Sequence, residues 1–283
     1  MRILITGLEG FTGHYLHTEL AAHGHEVIGL RADLTDATAL AAEMHAVQPD
    51  AVAHLAGIAF VGHGEPNDFY RINLMGTRNL LAALAACGKR PDCVLLASSA
   101  NVYGNVTEGI LAEITPPNPA NDYAVSKLAM EHMARLWMDK LPIMIARPFN
   151  YTGVGQSELF LIPKIVAHFR RRAPVLELGN LDVWRDFSDV RTVARIYRRL
   201  MEKPPVGETV NVCSGHAVSL REVLALVTEV TGLPIEVRVN PAFVRANEVR
   251  TLCGDASKLR QLVGAWELYP LADTLRWMIE ASA

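Results

Sequence analysis

Two side chains capable of proton chemistry stand four residues apart in NDYAVSKLAMEHM, Tyr123 and Lys127. On a helix that spacing puts them on one face, a turn from each other. A phenol with an ordinary pKa of about 10 is a poor acid at neutral pH, and a neighbouring ammonium stabilises its phenolate and draws that pKa down. The pair predicts a tunable proton donor. A hydroxyl partner stands in SSANVYG, directly after the apolar run Val94-Leu95-Leu96-Ala97. Ser99 there ends a predicted strand, where its hydroxyl is placed to hydrogen-bond a substrate oxygen beside the tyrosine. Ala100 and Asn101 follow it, and neither is a general acid or base at neutral pH. The cluster of two hydroxyls, an amide and a phenol is therefore suited to binding and polarising a carbonyl, with Tyr123 handling the one proton required.

A second piece of chemistry lies at the N-terminus. TGLEGFTG sets Gly7, Gly10 and Gly13 between the apolar RILIT and a helical pattern from Thr12 to His23. Glycines there permit a tight turn, close approach of a pyrophosphate and close helix–sheet packing, and the helix start at Phe11 and Thr12 supplies N–H donors and the positive end of a dipole. The spacing is GxxGxxG. The next strand, EVIGL, is followed by Arg31 where an acid would bind a ribose 2′-hydroxyl. A guanidinium suits a 2′-phosphate, which favours NADPH over NADH, and Asp33 in DLTD is expected to reach the adenine edge.

These groups need a scaffold, and the first 150 residues supply its pattern. Short apolar runs (RILIT, EVIGL, AVAHLAG, CVLLAS, PIMIAR) alternate with helical stretches at Thr12 to His23, Leu34 to Val47, Phe69 to Cys87 and Tyr123 to Lys140. Such alternation predicts an α/β fold, a doubly wound parallel Rossmann sheet with helices on both faces. Residues 1–150 read as the dinucleotide-binding domain and 151–283 mainly as a smaller α/β substrate-binding lobe, with the chain returning to the sheet around 182–203. At 283 residues and 50% hydrophobic composition the chain can bury a large core. A net charge of −3 offers no attraction to nucleic acid or an anionic membrane. The start MRILITG lacks the pattern of a secretion signal and no apolar run is long enough to span a bilayer, so a cytoplasmic protein is expected. Cys87, Cys93, Cys213 and Cys253 have no paired spacing and read as reduced core residues. His14, His17, His23 and His25 lack an acid or cysteine to complete a ligand set, so no metal is expected, and His54 and His63 read as core or surface histidines. Arg170-Arg171-Arg172 and Arg198-Arg199 read as solvated helix faces.

In this order the glycine turn, Leu55-Ala56-Gly57, Asn73 in NLMGT, SSANVYG, Tyr123-x-x-x-Lys127 and ARPFN resemble the extended short-chain dehydrogenase/reductase family, in its nucleotide-sugar branch. The resemblance runs through nearly the whole chain. It implies that Tyr123 is the acid/base, that Lys127 orients the nicotinamide ribose and tunes the tyrosine, and that Ser99 polarises the reacting carbonyl. It also implies cofactor contacts at Leu34, Leu55, Ala56, Gly57 and Pro148. For the substrate it implies contacts at Asn101 and Asn150, and at Arg185 in WRDFSDV with Arg245 and Glu248 in VRANEVR around a pyrophosphate and ribose. The family's 4,6-dehydratases carry an acidic pair after the serine or threonine, which this chain lacks. PFNYTGVGQ and VLELGNLDVWRDFSDV resemble the family's GDP-keto-sugar reductases, implying NADPH-dependent reduction of the C4 ketone of a GDP-4-keto-6-deoxyhexose to a GDP-6-deoxyhexose such as GDP-D-rhamnose. NAD is a possible cofactor, and a homodimer the implied assembly. Two other readings stand beside this one: an NAD-dependent nucleotide-sugar 4-epimerase using the same triad, and a cofactor-sensing protein without catalysis.

Overall fold

The computed structural model describes residues 1–62, 64–104, 109–244 and 249–281. Six parallel strands make the central sheet: β1 (Arg2–Thr6), β2 (Glu26–Gly29), β3 (Ala51–His54), β4 (Cys93–Ala97), β5 (Ile143–Pro148) and β9 (Thr209–Val212), in the order β2-β1-β3-β4-β5-β9. Every residue of β3 and β5 is buried, as strands covered on both faces require. One face is covered by α1 (Phe11–Ala22), α7 (Val190–Glu202) and α9 (Ser257–Val263), through Leu16, Leu20, Val193, Ile196 and Leu259 against Ile3, Ile5 and Leu95. The other is covered by α2 (Ala37–Val47), α4 (Thr77–Ala86) and α5 (Asp122–Arg135), through Leu40, Met44, Leu80, Leu84 and Met130 against Leu4, Val52 and Leu96. The doubly wound sheet expected from the alternating pattern is what forms. Strand order reverses between β1 and β3, which opens a crevice at their carboxyl ends.

The single turn α3 (Pro66–Asp68) leads into a π-helical stretch, Phe69–Gly76, before α4. Beyond β5 the chain forms β6 (Asn150–Thr152), α6 (Leu161–Arg170), β7 (Val175–Leu178) and β8 (Trp184–Asp189) before α7 and β9 return it to the central sheet. There follow β10 (Ala217–Ser219), α8 (Leu220–Thr231), β11 (Glu236–Val239), β12 (Thr251–Leu252), and, after α9, α10 (Leu271–Glu280). A second core joins α6, α8 and α10 to β7, through Ile165, Phe169, Leu176, Val223, Val227 and Leu275. β6 pairs with β8, and β8 with β10 and β12, which ties the segment after β5 to the C-terminal part of the chain.

Local chemistry moved several boundaries. The helix expected from Leu34 starts at Ala37, because the Asp36 carboxylate accepts hydrogen bonds from the N–H groups of Thr38 at 3.0 Å and Ala39 at 2.9 Å. The stretch expected to be helical to Lys140 leaves α-helix at Arg135 and continues in tighter turns, with Lys140 N–H bonding Trp137 O at 2.9 Å. Arg170, Arg171 and Arg172 are exposed. Arg198 and Arg199 correct the expectation of a solvated face: Arg198 bonds Glu19 on α1 at 2.8 Å and Glu202 at 2.7 Å, and Arg199 donates to the carbonyls of Val263, the last residue of α9, and of Ala265 beyond it. Both bind α7 to its neighbours. All four cysteines are free, and no helix of the described residues is long and apolar enough to cross a membrane.

Candidate active site

The turn between β1 and α1 is shaped by steric need. Gly7 has φ +74°, and a Cβ there would stand 3.0 Å from the backbone N and Cα of Ala56 beyond β3. A Cβ on Gly13 would stand 2.2 Å from the Gly7 carbonyl oxygen. Gly10 begins α1 without a side-chain cap, and no acid occupies the first turn. No carboxylate of α1 therefore competes for the first-turn N–H groups or opposes the dipole. The cradle fits a dinucleotide pyrophosphate. Phe11 and Thr12, expected here, use their side chains elsewhere: the Thr12 hydroxyl hydrogen-bonds Tyr151 Oη at 2.8 Å, and the Phe11 ring lies parallel to the Tyr151 ring with centroids 6.1 Å apart.

The other expected cofactor positions sort by burial. Arg31 is exposed at the end of β2. Asp33 accepts from Thr35 N and Oγ1, both at 2.7 Å, which holds its carboxyl below the usual range. Leu34 packs its side chain into the core. Leu55 and Ala56 are half-buried, with Ala56 N–H donating to Thr6 Oγ1 at 3.0 Å. A Cβ on Gly57 would lie 2.7 Å from Asn73 Oδ1 and 3.4 Å from Lys127 Nζ, so this glycine borders the lysine. Pro148 ends β5, buried.

Ser99, Tyr123 and Lys127 converge at the carboxyl end of β4, with relative exposures of 5%, 6% and 7%. Asn121 caps α5 by accepting from Ala124 N–H at 2.9 Å, which fixes where the helix presents its first turn. The Ser99 hydroxyl stands close enough to Tyr123 to draw the phenol's pKa down, and its oxygen accepts from Asn101 N at 3.1 Å and Asn101 Nδ2 at 3.2 Å. With both lone pairs engaged, the serine proton is directed outward, to the phenol or to a carbonyl oxygen taking its place. Lys127 Nζ donates to Ala97 O at 2.8 Å.

The expected acidification of the phenol is reversed. Burial pushes Tyr123 up to about 12, and the neighbouring Ser99 hydroxyl pulls it down less than burial raises it. Burial brings Lys127 down to about 8, with Glu131 opposing. In so dry a site each group loses more hydration than its neighbour returns, and at neutral pH Tyr123 keeps its proton.

Half of the SSANVYG cluster serves another purpose. Ser98 Oγ donates to Glu131 Oε1 at 2.5 Å, and the Arg147 guanidinium holds the same carboxylate through Nε at 2.9 Å and Nη2 at 2.6 Å. Arg147 Nη1 donates to Tyr103 Oη at 2.9 Å, and Tyr103 donates to Asn211 Oδ1 on β9 at 2.7 Å. Glu131 and Arg147 are 1% and 3% exposed. This buried pair was missed in the sequence, although Tyr123, Lys127 and Glu131 repeat at four-residue spacing along one face of α5. His54 is equally structural: Thr6 Oγ1 meets its Nδ1 at 2.7 Å and Thr77 Oγ1 its Nε2 at 2.8 Å. Thr77 gives its own proton to Asn73 O, so Nε2 carries the hydrogen, and burial lowers the ring's pKa to about 3.

On the substrate side, Asn101 turns both its N–H and its amide to Ser99. Asn150, on β6, has a buried Nδ2 without a hydrogen-bond partner, a donor left with no acceptor from the chain. β6 pairs Asn150 with Phe187, two residues along β8 from Arg185. Arg185 Nη1 donates to Trp184 O at 2.9 Å and Arg250 O at 3.2 Å, anchoring the guanidinium at the β8 edge. Arg245, Glu248 and His63 lie outside the described residues. Among the described residues no three His, Cys, Asp or Glu side chains are grouped to hold a metal.

This geometry has counterparts. The family model described as NAD dependent epimerase/dehydratase matches residues 3–213. GDP-6-deoxy-D-mannose reductase of Pseudomonas aeruginosa is 38% identical over 279 residues, spanning 93% of this chain and 91% of its own. GDP-6-deoxy-D-talose 4-dehydrogenase of Aggregatibacter actinomycetemcomitans is 35% identical over 269 residues, spanning 93% and 92%. The structure of RMD from Pseudomonas aeruginosa complexed with NADPH matches with a TM-score of 0.89 at 36% identity, covering 98% of this chain and 97% of that one. A glycine cradle on a doubly wound sheet, a serine–tyrosine–lysine set at the end of β4 and these matches agree, and the chain belongs to the NAD dependent epimerase/dehydratase family of extended short-chain dehydrogenase/reductases.

Proposed function

We propose that this chain is a reductase of the C4 ketone of a GDP-4-keto-6-deoxyhexose, using NADPH and forming a GDP-6-deoxyhexose such as GDP-D-rhamnose. The observation that carries the reading is the convergence of the buried side chains of Ser99, Tyr123 and Lys127 at the end of β4, with Ala100 and Asn101 standing where a dehydratase would need acids. The relatives' names support it, since they pair a GDP-6-deoxyhexose with a reductase or a 4-dehydrogenase. So does the relative seen with NADPH.

The nicotinamide, when bound, supplies the hydride. The chain's own residues do the rest. Gly7, Gly10 and Gly13 with the backbone of Phe11 and Thr12 hold the pyrophosphate, and Arg31 favours a 2′-phosphate. Asn150, with its unpartnered Nδ2, and Arg185 take the substrate's diphosphate in this reading. Ser99, its oxygen saturated by Asn101, gives its proton as a hydrogen bond to the ketone oxygen, which lowers the energy of developing negative charge. Tyr123, protonated at neutral pH, transfers its phenolic proton to that oxygen as the alkoxide forms. Lys127, anchored on Ala97 O, keeps two further N–H donors for the ribose and the phenolate left behind. A ground state with the phenol already protonated is the one reduction needs, whereas epimerisation begins with a phenolate that takes the proton of the substrate's C4 hydroxyl.

The test mixes purified protein with NADPH and GDP-4-keto-6-deoxymannose and follows nicotinamide fluorescence and the sugar product. Loss of NADPH equal to sugar reduced supports the reading. Interconversion of nucleotide sugars without net loss would place the chain with 4-epimerases, and binding without turnover would leave a sensor. Tyr123→Phe is expected to lower kcat about 10²- to 10⁴-fold with cofactor affinity retained.

A further inference from the structure

A carboxylate meets the backbone of Arg31 where the adenosine end of a dinucleotide is read. Arg31 follows β2 with its side chain exposed. Its backbone N–H, and that of Ala32, both point at a carboxylate twelve residues further along the chain. Arg31 N donates to Glu43 Oε1 at 3.0 Å and Oε2 at 3.3 Å, and Ala32 N donates to Oε2 at 2.7 Å. Glu43 rides on α2 between Leu40 and Met44, both fully buried, so core packing sets where its carboxylate can reach. Asp33 nearby spends Oδ1 on Thr35.

In doubly wound folds an acid at the end of the second strand accepts from the ribose 2′-hydroxyl of NAD, and an arginine there accommodates the 2′-phosphate of NADP. This chain carries the arginine in the strand's own continuation and receives the acid through space. We propose that Glu43 is a specificity-determining residue of the cofactor site, its carboxylate accepting the 2′-hydroxyl of NAD and opposing the 2′-phosphate of NADP. Selectivity is then a balance between Glu43 and Arg31, not the property of Arg31 alone. The inference rests on the reductase reading, because it requires a nicotinamide dinucleotide in the crevice. Two like charges a few ångströms apart near a protein surface alter binding by about tenfold. An acceptor lost from a sugar hydroxyl costs somewhat less.

Calorimetry gives the dissociation constants of NADP⁺ and NAD⁺ for the unaltered chain, Glu43→Gln and Arg31→Ala, without reference to turnover. Glu43→Gln keeps the side chain's shape and one acceptor for the loop. It is expected to bind NADP⁺ about tenfold more tightly and NAD⁺ about threefold more weakly. Arg31→Ala is expected to weaken NADP⁺ about tenfold or more and leave NAD⁺ within about twofold. A Glu43→Gln chain in which both constants move by one factor, or in which their ratio does not change, would mean that Glu43 only props the loop, and the proposal is overturned. An unaltered chain that binds neither dinucleotide overturns the reductase reading itself, a distinct result.

Discussion

At the scale of single residues the chemistry turns on two groups displaced from their ordinary protonation by the same burial. Tyr123 at about 12 is a neutral phenol throughout the physiological range, and Lys127 at about 8 sits at its edge. The sign of the pH dependence follows from the lysine. Below about 8 it is charged and presents three N–H donors. As pH rises through that value the charge is lost, so turnover with saturating NADPH should be level between about pH 6.5 and 7.5. It should then fall about tenfold per unit well above 8, while Tyr123 still holds its proton. A pH profile of kcat checks this. A rate that held level to pH 10 would show that the ammonium is not needed. Asn101 belongs to this scale as well: by filling both lone pairs of Ser99 it decides which way the serine proton points.

At the scale of elements, the site is held by polar links between strand ends and helices. His54 at the end of β3 joins β1 through Thr6 to α4 through Thr77, and Asn73 in the π-helical stretch joins Ile58 to Ser126 of α5. These links cross the layers that carry the glycine turn and Tyr123. Burial keeps His54 neutral, with a folded pKa of about 3 against 6.5 in the open chain. Between those values the unfolded chain holds a proton that the folded chain does not, so stability falls as pH drops below 6.5. The loss is about 1.4 kcal/mol per unit. Urea midpoints at pH 7 and pH 5 should therefore differ by more in the unaltered chain than in His54→Gln. Equal differences would sink the assignment.

At the scale of the whole molecule, two of the meetings between parts distant in sequence bear on the site. Tyr151, in β6, grips the start of α1 through Thr12 and Phe11, so the strand that carries Asn150 is registered directly against the cofactor cradle. The Glu131–Arg147 pair joins α5, β4 and β5, and through Tyr103 it reaches β9, the strand that returns after the second core has formed. Arg147→Met leaves a buried carboxylate without its partner and should destabilise the fold by about 3–5 kcal/mol in urea unfolding. Restoring neutrality with Glu131→Gln in the same chain should recover much of that. If the single and double variants are equally unstable, the pair is not the source of the loss.

How much of this was legible depends on the range of the forces involved. The glycine cradle and the tyrosine and lysine one turn apart are local patterns and lie on the elements expected of them, while Ser99, expected to end the strand, stands two residues past β4 and caps the turn Ala100–Tyr103. Local reading also set the alternation that makes a doubly wound sheet, because apolar runs covered on both faces and amphipathic stretches between them have few other solutions. What it could not supply were the partners. That Ser98 and Tyr103 serve a buried ion pair and not the substrate, that Arg198 and Arg199 pin α7 to α1 and α9, and that the acid missing from β2 arrives on α2 all depend on contacts between residues far apart in the chain. So does the direction of the Tyr123 shift. A neighbouring lysine is visible in the letters, but the loss of water that outweighs it exists only once sheet, helix and returning strand have closed around the phenol.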